Sequence, residues 1–334
     1  MLIIGHQAAQ DVLRDQEQRI LTLVEDTYRL HDEGDTALPH SVFLRFPDDA
    51  RNRVIGLPGY VGGADPVAGM KWIASFPGNV AAGKERASAT VVLNSTADGR
   101  PEALLEASAI SAKRTAASAA VAAGLLVTDA EPRGMSLVGC GPINREVLRF
   151  TAARLPSLRE VVVFDLDRAR AAGFADAARE MLPGVSFTVA ERIEDAMGAH
   201  PLVALATTAA TPHLDLSACR PGATVLHVSL RDLTVEAILG AQNVVDDADH
   251  VCRENTSLHL AEQATGGRDF IAASVGGLLR GAPGFRRDPA AIAVFSPFGL
   301  GVLDLALARW VRDEADRRGL GVRVEDFLPR LPRP

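Results

Sequence analysis

Cysteine and aromatic residues are scarce in this chain, which has three cysteines, two tryptophans and two tyrosines in 334 residues. Cys140, Cys219 and Cys252 stand far apart, are odd in number and form no C-x-x-C pair. That spacing supports neither a disulfide framework nor a zinc knuckle. Cys140 lies inside a glycine turn and reads as a small filler. An excess of positive charge is also missing. The net charge is −7 with both signs spread along the sequence, which argues against nucleic acid or a membrane surface as partner. No apolar run reaches the ~18 residues of a bilayer span. The opening MLIIGHQAA is too short and uncharged for a secretion signal. A soluble, cytoplasmic protein is expected. An apolar content of 47% fits an ordinary α/β chain, and the length suggests about two domains.

What is present is organised around Met135–Asp165, MSLVGCGPINREVLRFTAARLPSLREVVVFD. This stretch predicts a buried strand, a glycine turn, a helix and a second buried strand that ends on an acid. Gly139 and Gly141 remove side chains that would keep a pyrophosphate off the backbone. Pro142 and Ile143 open the helix, where proline's missing N–H costs nothing and the free N–H groups attract a phosphate. Asp165 is placed to accept both hydroxyls of an adenosine ribose. Asn144 stands where the third glycine of G-x-G-x-x-G would be, but the flanking strands and the acid keep the dinucleotide reading. A carboxylate at Asp165 repels a 2′-phosphate and favours NAD over NADP, although Arg168 and Arg170 just beyond are placed to offset it.

Around this stretch, the pattern predicts a strand at Leu2–Ile4 and one long helix over 8–33, with Val12, Ile20, Val24 and Tyr28 at helical spacing. Residues 41–46 and 53–58 read as a hairpin across the Pro47–Asn52 turn. Strands at Val67–Phe76 and Ala89–Leu93 complete a four-stranded, mostly antiparallel sheet. A helix is expected over 102–126. From Pro132 onward strand and helix alternate, with strands at 186–189, 202–207, 224–228, near 244–250 and at 294–299, which predicts a doubly wound parallel sheet. Helices are expected over 167–181, 191–198, 256–264 and 302–318. The tail, 321–327, is expected to return as a strand to the first domain.

Several polar residues have two readings each. Lys71, between Met70 and Trp72, is either an edge-strand charge that guards against aggregation or an ammonium held in a protected site. Arg45 interrupts an apolar strand in the same way. Arg114, in a helix rich in alanine and serine, is solvated or functional. Asp232 either caps the helix that begins near Thr234 or lies at a strand's carboxyl end in a catalytic position. The loop from Thr207 and Thr208 to Pro212 suits a cofactor ribose or phosphate. His250 and His259 lack an i,i+4 histidine and read as surface or capping residues.

Gly69-Met70-Lys71-Trp72, Asp98-Gly99-Arg100-Pro101, Arg114-Thr115-Ala116-Ala117, Gly139-Cys140-Gly141, Asp232 and Ser296-Pro297-Phe298-Gly299 with Asp304 together resemble the ornithine cyclodeaminase/mu-crystallin family over nearly the whole chain. Within it, G-M-K-W-I-A-S-F-P-G-N, E-R-A-S-A and S-L-R-D are most similar to the N-(2-amino-2-carboxyethyl)-L-glutamate dehydrogenase branch. That branch makes L-2,3-diaminopropionate for siderophores and peptide antibiotics. Ornithine cyclodeaminase itself, or a mu-crystallin-like protein that binds a nucleotide and a ligand, is the alternative. The resemblance implies a Rossmann-type NAD-binding domain over 119–303. It also implies an α+β substrate and dimerisation domain built from 1–118 and 304–334, and a homodimer whose first-domain strands meet across the interface. It implies an amino-acid-derived substrate with several carboxylates. Lys71 and Asp232 are the catalytic residues it indicates, Arg45, Lys71, Arg114 and, loosely, Ser88 the substrate ligands. Gly139, Gly141 and Asp165 match its cofactor loop and ribose acid, and Ser229 joins Thr207 and Thr208 as an expected cofactor contact.

Overall fold

The computed structural model describes residues 1–329. In chain order the first elements are β1 (Leu2–Ile4), α1 (His6–Leu13), α2 (Glu17–Asp32), β2 (Thr36–Ala37), β3 (Val42–Phe46), β4 (Asp49–Val61) and β5 (Val67–Ser75). Next come β6 (Ala87–Asn94), β7 (Pro101–Glu106), α3 (Ser108–Leu126), β8 (Gly134–Val138), α4 (Pro142–Arg154), β9 (Glu160–Phe164), α5 (Arg168–Met181) and β10 (Ser186–Val189). They are followed by α6 (Ile193–Ala199), β11 (Leu202–Leu205), β12 (Thr224–His227), α7 (Val235–Leu239), β13 (Gln242–Val245), α8 (Ala248–Val251) and α9 (Ser257–Thr265). The last are β14 (Ile271–Ser274), α10 (Val275–Leu279), β15 (Ala293–Ser296), α11 (Gly301–Arg317) and β16 (Val322–Arg323). The chain forms two compact units, Met1–Arg114 with Leu300 onward, and Thr115–Gly299. The sequence reading set these junctions at 118/119 and 303/304.

The first unit holds an eight-stranded sheet in the order β16-β1-β7-β6-β5-β4-β2, with β3 also paired to β4. It is larger than the four strands expected, because β1 adds parallel to β7 and the tail strand β16 adds antiparallel to β1. The single helix expected over 8–33 is two helices. Arg14 turns to an extended backbone and Asp15 takes φ 55, which ends α1 before α2 begins. Val12, Ile20, Val24 and Tyr28 are nonetheless all buried, so the apolar spacing reported the packed face and missed the break. The hairpin turn is also tighter than expected, with Phe46 paired to Asp49. Residues 101–106 are strand where helix was expected. Ala103 and Leu105 are buried at period two, and β7 pairs with β6 on one side and β1 on the other. The helix starts only at Ser108. Helix α11 lies against β4, β5 and β6 and buries Val302, Leu303, Leu305, Ala306 and Leu307.

The second unit is an all-parallel sheet in the order β10-β9-β8-β11-β12-β15-β13-β14. Its central strands β8, β11, β12 and β15 are buried at every residue. That is why they read as continuous apolar runs without alternation. The strand order reverses between β8 and β11, the place where a doubly wound sheet opens a crevice at its carboxyl ends.

Arg287 ties this unit together through backbone carbonyls. Its guanidinium donates to the carbonyls of Leu126 at 3.0 Å, Gly222 at 2.7 Å and Ala291 at 2.6 Å, and to the Gln242 side chain at 3.1 Å. Arg287→Met keeps the stem but strands these acceptors, so it should lower unfolding stability by about 2–4 kcal/mol in urea titration. A loss under about 0.5 kcal/mol would mean that water replaces the guanidinium.

Candidate active site

In the first unit β5 is an interior strand, paired to β4 and β6, and Lys71 is 2% exposed. The edge-strand reading of Lys71 is therefore wrong. Its ammonium donates to Asp304 Oδ2 at 2.6 Å and to Ser111 Oγ at 3.2 Å. Arg114, buried in α3, donates from Nε to Asp304 Oδ1 at 3.1 Å, so the solvated reading of Arg114 also falls. Asp304 projects from α11 and is fully buried. Burial, followed by the Arg114 charge, lowers the Lys71 pKa to about 8, while Asp304 pulls it the other way. A lysine tuned this close to neutrality can give or take a proton at physiological pH.

Arg45 and Ser88 lie elsewhere. Arg45 is exposed on β3, its guanidinium 5.6 Å from the Phe43 ring centroid. Register places Arg45 opposite Arg53 and Arg53 opposite Ser75, on the same sheet face as Lys71 but four residues along. That is ~13 Å of strand. Ser88 pairs with Ala74 and so faces the opposite side of the sheet from Lys71.

In the second unit Asp232 is fully buried and is not the cap of α7. Thr234 caps that helix, its hydroxyl accepting from the Ala237 N–H at 3.2 Å. The Asp232 carboxylate accepts instead from the hydroxyls of Thr207 and Ser229, two residues expected to touch cofactor. Thr208 is exposed. Burial alone would raise the Asp232 carboxyl, but the hydrogen bonds around it hold it below the usual carboxylate range. Leu230, two residues away, takes φ 69. A buried leucine in the left-handed region carries strain of about 1–3 kcal/mol, a cost typical of functional turns.

The glycine loop is built with two different constraints. Gly139 has φ 91, and a Cβ there would sit 2.5 Å from the Ala206 carbonyl oxygen. Gly141 starts α4 with no side-chain cap, and a Cβ there would meet nothing within 4 Å. Gly139 thus serves the close approach of β8 to β11's exit, while Gly141 leaves the helix start open to a phosphate. Asn144, the departure from the glycine pattern, is fully buried. Its amide donates to the Val138 and Gly139 carbonyls at 2.9 and 2.7 Å, which braces the turn. Asp165 accepts from the Cys140 N–H at 2.8 Å and the Asp167 N–H at 2.9 Å. Each oxygen keeps a second lone pair for a ribose hydroxyl. Burial pushes the Cys140 thiol up to about 12, which leaves it an inert filler.

Sequence reasoning did not name Ser111, His227 and Asp246 as functional candidates; it placed Ser296 in an expected core strand and quoted Asp304 only within the resemblance. The available signal was polarity in an apolar run, as in TVLHV and VVDD. Asp246, buried at the end of β13, accepts from the N–H groups of Phe298 and Gly299 at 2.9 and 2.7 Å and so holds the Ser296–Gly299 loop. Burial raises its carboxyl to about 6. His250 is buried beside Phe298, so of its two readings, surface or capping, the surface one fails, whereas His259 accepts from the Asn255 N–H at 3.2 Å. Among the described residues no group of three or more His, Cys, Asp or Glu can hold a metal ion, and no helix is long and apolar enough to cross a membrane.

Comparison with known proteins agrees across nearly the whole chain. Residues 7–319 match the model of the ornithine cyclodeaminase/mu-crystallin family. An N-((2S)-2-amino-2-carboxyethyl)-L-glutamate dehydrogenase of Staphylococcus aureus is 26% identical over 97% of this chain and 98% of its own. The solved structure of CmnK superposes with a TM-score of 0.89 at 29% identity, over 98% of this chain and 99% of that one. An archaeal alanine dehydrogenase, solved as a dimer with NAD bound, shares the fold with a TM-score of 0.87 at 24% identity, over 98% of this chain and 99% of that one.

The Lys71–Asp304–Arg114 cluster makes a direct prediction. Asp304→Asn removes the influence that raises the Lys71 pKa and leaves burial and Arg114, which both lower it. The midpoint should fall below about 8 in an NMR titration of the lysine ammonium. Stability should drop by about 3–5 kcal/mol, because two cations then share a buried site without their carboxylate. An unmoved midpoint would show that Asp304 does not set the charge of Lys71.

Proposed function

Because the chain belongs to the ornithine cyclodeaminase/mu-crystallin family, we propose that it is an NAD-dependent dehydrogenase acting on a CH–NH bond. Its substrate is N-(2-amino-2-carboxyethyl)-L-glutamate, and its products are L-2,3-diaminopropionate and 2-oxoglutarate. Diaminopropionate is a building block of the kind used in siderophore and peptide-antibiotic assembly. The observation that carries the reading is a buried lysine with a pKa of about 8, joined to an arginine through one carboxylate. It is supported by the full-length similarity to the S. aureus dehydrogenase. The unit of Met1–Arg114 with Leu300 onward binds substrate, and Thr115–Gly299 binds NAD.

NAD, when bound, would supply the hydride acceptor for the glutamate α-carbon. Gly141 and the start of α4 would hold its pyrophosphate and Asp165 its ribose. Arg168 already faces Glu191 at 3.4 Å and Arg170 faces Asp167 at 3.7 Å, which favours NAD over NADP. Arg114, anchored at Nε by Asp304, presents its guanidinium to a substrate carboxylate, with Arg45 as the outer ligand. Neutral Lys71 takes the amine proton as the carbon–nitrogen bond is oxidised to the imine. Asp232, already ionised, takes a proton from the water that adds to the imine carbon. Protonated Lys71 returns its proton to the nitrogen as the carbinolamine forms. The hydroxyl proton then passes to that nitrogen as the C–N bond breaks, expelling the diaminopropionate amine and leaving 2-oxoglutarate. Asp232 releases its proton to solvent. Ser88, on the opposite sheet face, has no part in this scheme.

The opposite face supports a homodimer. Val42, Leu44, Met70 and Trp72 share it and are 64%, 47%, 37% and 42% exposed. Apolar side chains gathered this way on a sheet favour a protein partner over water. A Leu44→Asp, Trp72→Lys double variant should run as a monomer in size-exclusion light scattering, whereas a wild-type monomer would refute the dimer.

Incubation with NAD should yield 2-oxoglutarate and diaminopropionate, identified by mass, with NADH accumulating. Conversion of ornithine to proline without net NADH would instead make the chain a cyclodeaminase. The neutral amine of Lys71 is the reactive form, so kcat/KM for oxidation should rise with pH and level off above about 8. Lys71→Ala should abolish turnover while NADH binding, followed by fluorescence, persists. Retained turnover would remove Lys71 from the mechanism.

A further inference from the structure

We propose that His227 and Ser296 form a positioning pair that locks Asp232 in its working orientation. This deepens the reading of Asp232 as the group that activates water, and it rests on that reading. Strands β12 and β15 are parallel neighbours with Leu226 opposite Phe295, so the next residues, His227 and Ser296, lie side by side at the carboxyl edge of the sheet. Both are fully buried. The imidazole bridges them to the site: Nδ1 is 3.1 Å from Ser296 Oγ, and Nε2 is 3.2 Å from the Asp232 backbone N.

Elementary donor counting assigns the tautomer. A backbone N–H can only donate, so Nε2 accepts from it, the ring proton sits on Nδ1, and Ser296 accepts that proton. Burial lowers the imidazole pKa and keeps the ring neutral, the one state in which Nε2 can accept. Asp232 is the carboxylate beside His227, with Nε2 3.4 Å from Oδ2, and Arg231 is the other charge acting on the ring. The backbone of Asp232 is thereby fixed from one side while Thr207 and Ser229 fix its carboxylate from the other. Leu230, strained at φ 69 within the same turn, needs such an anchor. His227 does not touch the reacting atoms. It acts through Asp232.

The tautomer can be read without substrate. In wild-type protein, ¹⁵N NMR of His227 should show a protonated Nδ1 and an unprotonated Nε2, and Ser296→Ala should weaken that preference. His227→Leu should lower kcat roughly tenfold or more while KM stays within about twofold. His227→Gln, whose amide oxygen reaches the Nε2 position and can accept the Asp232 N–H, should recover part of that loss. A protonated Nε2 in the wild type, or wild-type kcat in His227→Leu, overturns the pairing. Should His227→Leu not fold, the wild-type tautomer and its response to Ser296→Ala still decide it through the NMR signature. Asp232→Asn is the separate control: undiminished turnover there defeats the water-activation reading and leaves the tautomer result standing.

Discussion

One buried carboxylate holds the first unit's polar interior together. Asp304 faces Lys71 on one oxygen and Arg114 on the other, and the three come from α11, β5 and α3. Two cations in a dry core repel each other and lose hydration, a cost of several kcal/mol each unless an anion with good geometry lies between them. Asp304 supplies that anion, and its placement brings distant parts of the chain to one point. The arrangement remains electrostatically tense. Burial and Arg114 outweigh Asp304 at Lys71, and the ammonium is left ready to lose its proton near neutral pH. Stability and the Lys71 proton equilibrium therefore draw on the same three residues.

The second unit follows the same logic with different chemistry. Its parallel strands are buried on both faces, so polar groups accumulate at their carboxyl ends, where the backbone leaves the sheet. Gly139, Asp165, Thr207, Asp232, Asp246 and Ser296 all stand at such ends or in the loops that leave them. Here buried charge is managed by hydrogen bonds instead of countercharges. Hydroxyls hold Asp232, and backbone N–H groups hold Asp246. The two acids diverge because the surrounding bonds outweigh burial at Asp232, which is held low, whereas burial outweighs them at Asp246, which is raised to about 6.

Much of the architecture is legible in the amino-acid sequence. Parallel-strand runs such as LVALAT and TVLHV are apolar without alternation because both faces are covered, and strand–helix alternation is a local pattern. The glycine turn and its acid are equally readable. Sequence and fold part where local pattern and tertiary context disagree. Residues 101–106 have the composition of a helix and are held as a strand by neighbours on both sides. The break at Asp15 leaves no trace in apolar spacing, because both helices bury the same stripe. Thr207 and Ser229 have hydroxyls that suit a cofactor, yet they are committed to a carboxylate 25 and three residues away.

The sequence alone determined the strand–helix alternation of the second unit through β12, though not β14 or α10, as well as the open turn at Gly141 and which residues bring charge into apolar surroundings. These follow from periodicity, from side chains too large or too polar for their places, and from the conformational freedom of glycine. Only the tertiary structure decided which charges meet. Lys71 and Asp304 are 233 residues apart and touch at 2.6 Å, while Arg45 and Ser88, nearer in sequence, do not join them. Contact of that kind is a property of strand register and of how one helix lies on a sheet. A one-residue shift of register would turn Lys71 to the opposite face, and no local pattern records that choice.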